Sequence, residues 1–66
     1  MTGSITRLVD SRQAGSIAAE DGHEYVFAAS ALRGVDFYQL SLGTPVSFTP
    51  VQTSNERRAQ FVQLVR

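Results

Sequence analysis

Cysteine is absent from the 66 residues and His23 is the only imidazole, which excludes a disulfide framework and a zinc site built from histidine and cysteine. Packing alone must hold the fold, although a chain this short buries only about 60% of the surface that its unfolded form exposes. Freedom from cysteine suits a reducing compartment. The first twenty residues lack the continuous apolar stretch of a secretory signal, and no apolar run approaches the roughly 20 residues that cross a bilayer. A single cytoplasmic domain over residues 1–66, without a membrane segment, is expected. Lysine is missing too. The basic residues are Arg7, Arg12, Arg33, Arg57, Arg58 and Arg66, balanced by six acids to a net charge of zero. No global basic excess points to nucleic acid, so any such role must come from how the arginines are distributed.

What the chain does have is regular punctuation: Gly3, Gly15, Asp21-Gly22, Gly34, Gly43, Pro45 and Pro50. Short strands joined by turns follow from it. The first strand is predicted over Ser4–Val9, with Asp10-Ser11-Arg12-Gln13 as a polar turn, and the second over Ala14–Ala19. Glu20-Asp21-Gly22-His23 reads as a tight hairpin turn, because Asp-Gly tolerates the positive φ that such turns demand. In the third strand, Glu24–Ala29, the two-residue period puts Tyr25 and Phe27 on one face and Val26 and Ala28 on the other. Ser30–Leu42 reads as a long connection with a helical turn. The fourth strand, Val46–Val51, carries Pro50, which belongs at an edge or a bulge because it has no N–H to donate. Thr53–Glu56 is a polar turn, and the fifth strand runs from about Arg58 to Val65.

Five short strands with a long crossing after the third predict an all-β fold, a small antiparallel barrel that closes to cover its strand edges. The expected core is Ile5, Ile17, Tyr25, Phe27, Leu32, Leu40, Val46, Phe48, Val62 and Leu64. Such a core, at roughly 1.5–3 kcal/mol per fully buried large side chain, offsets the chain entropy only narrowly.

With the strands placed, Gly3-Ser4-Ile5-Thr6-Arg7-Leu8 stands where cold-shock domains have a glycine, a core residue and an exposed tryptophan-phenylalanine pair. Gln13-Ala14-Gly15-Ser16-Ile17 stands at their K-G-F-G-F-I motif and keeps its inner glycine and isoleucine. Tyr25-Val26-Phe27-Ala28-Ala29-Ser30-Ala31-Leu32 sits on V-F-V-H-F-S-A-I. Phe37 falls on the phenylalanine of the long loop, and Leu40, Gly43, Val46-Ser47-Phe48, Ala59 and Val62 fall on the last two strands. The chain thus resembles the cold-shock domain family, five-stranded barrels of the oligonucleotide/oligosaccharide-binding (OB) type, over nearly its whole length. Other small barrels, of the SH3 or Sm type, are the alternative folds.

The resemblance implies single-stranded RNA or DNA binding by an aromatic platform ringed with basic side chains. Bases stack on such rings at about 1–3 kcal/mol each. Most of the platform is missing here. Arg7 and Leu8 replace the first aromatic pair, Ala14 and Ser16 the phenylalanines of the first motif, and Val26, Ala28 and Ala29 the rings of the second. Losing four stacks, even at about 1 kcal/mol each, lowers affinity about a thousandfold. Weak binding is therefore expected, through Arg7, Leu8, Arg12, Ser16, Val26, Ala28, Phe37, Tyr38 and Arg57, with Arg33 flanking and Phe37 expected as the surviving exposed ring. The plain reading is that these arginines merely balance Asp10, Asp36 and Glu56. A second function class uses the same face: Leu8, Val26, Ala28 and Phe37 as an apolar patch for a protein partner or a homodimer.

Catalysis is not expected. Ser16, Ser30 and Ser47 lack a histidine-acid pattern, His23 sits in a turn, and the acids around it are explained by turn chemistry. No catalytic residue, metal ligand or cofactor site is assigned. Phe61 stands where the family usually has a polar residue and is expected over a barrel opening or in an interface.

Overall fold

In a computed structural model of the chain, which describes residues 1–65, five strands form a closed barrel: β1 (Thr2–Val9), β2 (Ala14–Ala19), β3 (Glu24–Ala28), β4 (Pro45–Gln52) and β5 (Arg57–Leu64). Their order around the barrel is β1-β2-β3-β5-β4, with β4 returning to β1. All neighbours are antiparallel except β3 and β5, which meet in parallel at Val26 and Arg58. That parallel seam is the exception to the antiparallel pairing expected of the barrel. It follows from the long crossing, which returns the chain to the far edge before β4. This is a small OB-type barrel. No helix among the described residues is long and apolar enough to cross a membrane.

Local chemistry sets each turn. Gly22 has φ +85° and donates its N–H to Ala19 O (3.0 Å), closing the β2–β3 hairpin; a positive φ there is easy only for glycine or a short polar residue. The crossing holds two short 3₁₀ turns, Ala29–Ala31 and Phe37–Gln39. In the second, Asp36 N–H donates to Gln39 Oε1 (2.7 Å) and Leu40 N–H to Phe37 O (3.1 Å). Residues three apart share a face in such a turn, so Phe37 and Leu40 point together into the barrel. Pro50 lies on the stretch of β4 that β1, paired only to Pro45, Val46 and Ser47, does not reach.

Two irregularities shift the strand phase. In β1, Ile5 pairs with Ile17 but Arg7 with Ser16, so Thr6 is an extra residue and both Thr6 and Arg7 face outward. Hydrogen bonds from Ile5 N–H to Thr44 O (3.0 Å) and from Gly43 N–H to Ile5 O (2.7 Å) fix this point against the loop before β4. In β5, Ser47 pairs with Gln63 but Thr49 with Gln60, and Phe61 takes the extra position with φ +52°.

The core is Ile5, Ile17, Tyr25, Phe27, Phe37, Leu40, Val46, Phe48, Ala59 and Val62, with the rings of Tyr25 and Phe48 tilted at 53° and 5.1 Å apart. Three expectations change. Phe37 is buried, not an exposed ring, because its 3₁₀ turn rotates it inward. Leu64 stays exposed: it pairs with Val46 but forms the last rung of β5. Leu32 is only half-buried, packed on the core from outside.

Candidate functional site

One outward row crosses four strands: Arg7 on β1 pairs with Ser16 on β2, Ser16 with Val26 on β3, and Val26 with Arg58 on β5. The row exists because the extra residue at Thr6 turns Arg7 to the side opposite Ile5. Around it lies an open cleft of about 350 Å³, at the small end of ligand-sized pockets. Gly15, Ser16, Val26 and Phe27 line it together with Ala14 and Ala28, and Arg7, Arg12, Arg58 and Glu56 add the charged groups. Ser16 is only 7% exposed, so it belongs to the cleft floor rather than to an open face.

Gly15 makes this floor possible. A Cβ there would meet the Arg7 carbonyl and lie 2.9 Å from two atoms of the Phe27 ring. The absent side chain lets β1 and the Phe27 ring close on β2.

The charges are sorted. Glu20, Asp21 and Glu24 gather in and beside the β2–β3 hairpin, each engaged by a structural hydrogen bond. Glu20 Oε1 accepts from Thr2 N–H (3.1 Å), Glu24 Oε2 from Thr6 Oγ1 (3.0 Å), and Asp21 Oδ2 from the Tyr25 hydroxyl (2.7 Å). The Tyr25 hydroxyl and the His23 N–H hold the Asp21 carboxyl below its ordinary range, and Tyr25 is raised in turn, first by that bond and then by desolvation. Of the arginines, only Arg58 pairs with a carboxylate among the described residues, through Nη1 to Glu56 Oε1 at 2.6 Å. Arg7 and Arg12 therefore reach the cleft without a carboxylate within salt-bridge distance, and neither Asp10 nor Asp36 neutralises them.

The remaining expected residues divide. Val26 and Ala28 line the cleft with Arg7, Arg12 and Ser16. Leu8 does not: one residue out of phase with Arg7, it pairs with Gly15 and packs against the core. Arg57 also turns away, half-buried, with its charge acting on Tyr25, and Arg58 holds the place expected for it. Phe37 is in the core, but Tyr38 beside it stays 70% exposed, its ring edge-on to Phe37 at 5.4 Å and its hydroxyl accepting from Gln13 Nε2 (3.1 Å). Tyr38 borders a separate hollow with Gln13 and Ala29, the residues next to cleft-lining Ala14 and Ala28. Glu56 was missing from the expected set; its place two residues before Arg58 in an arginine-rich turn was the available signal. No family model matches the chain, and no curated protein matches it.

Proposed function

We propose that this chain is a cytoplasmic, non-catalytic binder of single-stranded RNA or DNA, a divergent cold-shock-like barrel that replaces ring stacking with arginine contacts. What carries the proposal is the pairing of a ligand-sized cleft on the outer barrel face with two arginines, Arg7 and Arg12, that no carboxylate among the described residues pairs with. Guanidinium groups pair with phosphate oxygens in a fork and stack on base planes, so they serve a strand's backbone and its bases at once. Val26, Ala28 and Gly15 leave room for a base to approach the sheet but give it no ring to stack on, which keeps the affinity low and shifts its origin to phosphate contacts.

The competing use of the same face, an apolar patch for a second copy or another protein, loses support. Of Leu8, Val26, Ala28 and Phe37, the first packs on the core and the last is inside it, leaving two small side chains in a cleft edged by arginine. Titrating a labelled oligo-uridine against the protein at low and at moderate salt tests the proposal. Binding that fades as salt rises supports it, and binding that salt leaves unchanged, or none at millimolar protein, refutes it.

A further inference from the structure

We infer that Phe61 and Arg33 form a second nucleobase-stacking position on the outer face of β5, which extends the cleft along the strand beyond Arg58. It rests on the single-strand reading above and adds a contact outside the row from Arg7 to Arg58. Phe61 is anomalous in two independent ways. The residue is 52% exposed, and its backbone sits at φ +52°, a region that bulky L-residues avoid and where glycine or asparagine would relax. Exposure and strain both oppose folding, and neither serves the core, whose nearest members Ala59 and Val62 point the other way. Strained positions held by the surrounding structure concentrate at ligand contacts.

The surroundings of the ring specify what would land on it. The Arg33 guanidinium lies 5.1 Å from the ring centroid and is held there by Nη1 bonds to Ser30 O (3.1 Å) and Leu32 O (3.0 Å). Its backbone N–H donates to Val62 O (2.8 Å), tying the crossing to β5 beside the bulge. A planar cation already positioned on an aromatic ring suits a nucleotide: the base meets the ring or the guanidinium plane, and the phosphate meets the guanidinium N–H groups that Ser30 and Leu32 leave unused. Gln60 and Gln63, the exposed neighbours on the strand, fit a polar strand better than a buried apolar contact. Position agrees as well. From Val26 to Leu32 the chain runs alongside β5 in parallel, pairing at Val26 with Arg58 and at Leu32 with Val62. Arg33 and Arg58 therefore border one hollow of about 250 Å³ that shares Ala28 with the cleft.

The test compares Phe61→Asn and Arg7→Gln with the unaltered protein, using oligo-uridines of about 4 and about 12 nucleotides, both within the roughly 4–16 nucleotides that single OB-type barrels cover. Asparagine tolerates the backbone at this position, so the variant should fold and melt no lower than the parent. Phe61→Asn should weaken the long oligonucleotide at least about fivefold, one stack's worth of affinity, and leave the short one nearly unchanged, whereas Arg7→Gln weakens both. If Phe61→Asn binds the long strand like the parent while Arg7→Gln does not, the second position is wrong and the cleft stands. If the unaltered protein binds neither strand, both fall. Should Phe61→Asn instead dissociate a dimer, seen by sedimentation, without changing binding, the ring is a contact between copies and the inference is overturned.

Discussion

Replacing Glu56 by Gln should strengthen nucleic-acid binding, although the change touches no expected contact. Glu56 Oε1 sits 2.6 Å from Arg58 Nη1 at the cleft, so one of the three cleft arginines is neutralised and two, Arg7 and Arg12, have no carboxylate partner among the described residues. Each phosphate neutralised on a single strand contributes about −0.7 to the slope of log K against log salt. For a strand of about 4 nucleotides, which fills the cleft alone, these two arginines give a slope of about −1.4, which is about a sevenfold loss of affinity for a fourfold rise in salt. Releasing Arg58 should steepen the slope to about −2.1 and raise affinity at low salt. Folding should be almost unaffected, since an exposed ion pair is worth about 0–1 kcal/mol, and the Thr53–Glu56 turn uses the Glu56 backbone, not its carboxylate. Fluorescence anisotropy of a labelled oligo-uridine across a salt series measures both quantities. Weaker binding or an unchanged slope in the variant would show that Arg58 does not face the strand.

Three further outcomes are expected. Val26→Phe adds a ring to the cleft lining and should tighten binding by about 1–3 kcal/mol, read in the same titration. Gly15→Ala drives a methyl into the Arg7 carbonyl and the Phe27 ring and should destabilise the barrel by about 1–3 kcal/mol in urea unfolding. The Asp21–Tyr25 bond makes stability depend on pH at both extremes. With Asp21 lowered, its contribution is present above the ordinary carboxylate range and lost as pH falls through the depressed value. With Tyr25 raised, its contribution is present below the ordinary tyrosine range and lost as pH climbs through the elevated value. Asp21→Asn should flatten the acid limb in melts recorded from acid to neutral pH.

Where the sequence was readable, side chain and strand period agreed. Tyr25 and Phe27 against Val26 and Ala28 alternate strictly, and the Asp21-Gly22 turn can close in few ways, so β2 and β3 lie where their residues suggest. Phase shifts were not readable. From Ile5 the two-residue period alone would send Arg7 inward; the resemblance to cold-shock domains is what predicts an outward residue there, and the physical cause is the extra residue at Thr6. No side chain there announces a bulge. The same blindness covers Phe61, whose positive φ belongs to no residue preference, and the choice between Arg57 and Arg58, which the register of β5 against β3 decides. Phe37 failed for a different reason: a loop aromatic is exposed or buried according to the rotation of a single 3₁₀ turn, and the Asp36–Gln39 bond that fixes it comes from a pair too ordinary to single out. The acids of the β2–β3 hairpin lie close together in the chain, but the meeting of Arg7, Arg12 and Arg58 at one cleft emerges only in three dimensions, because they come from distant positions.

Amide chemical shifts recorded while an unlabelled oligo-uridine is added at low salt report residue by residue on whether a strand enters the cleft. Arg7, Ser16, Val26 and Arg58 should move together along one binding curve, with Leu8 and Arg57 moving less. Shifts confined to the acidic hairpin, or none at millimolar oligonucleotide, would contradict a nucleic-acid cleft on this face.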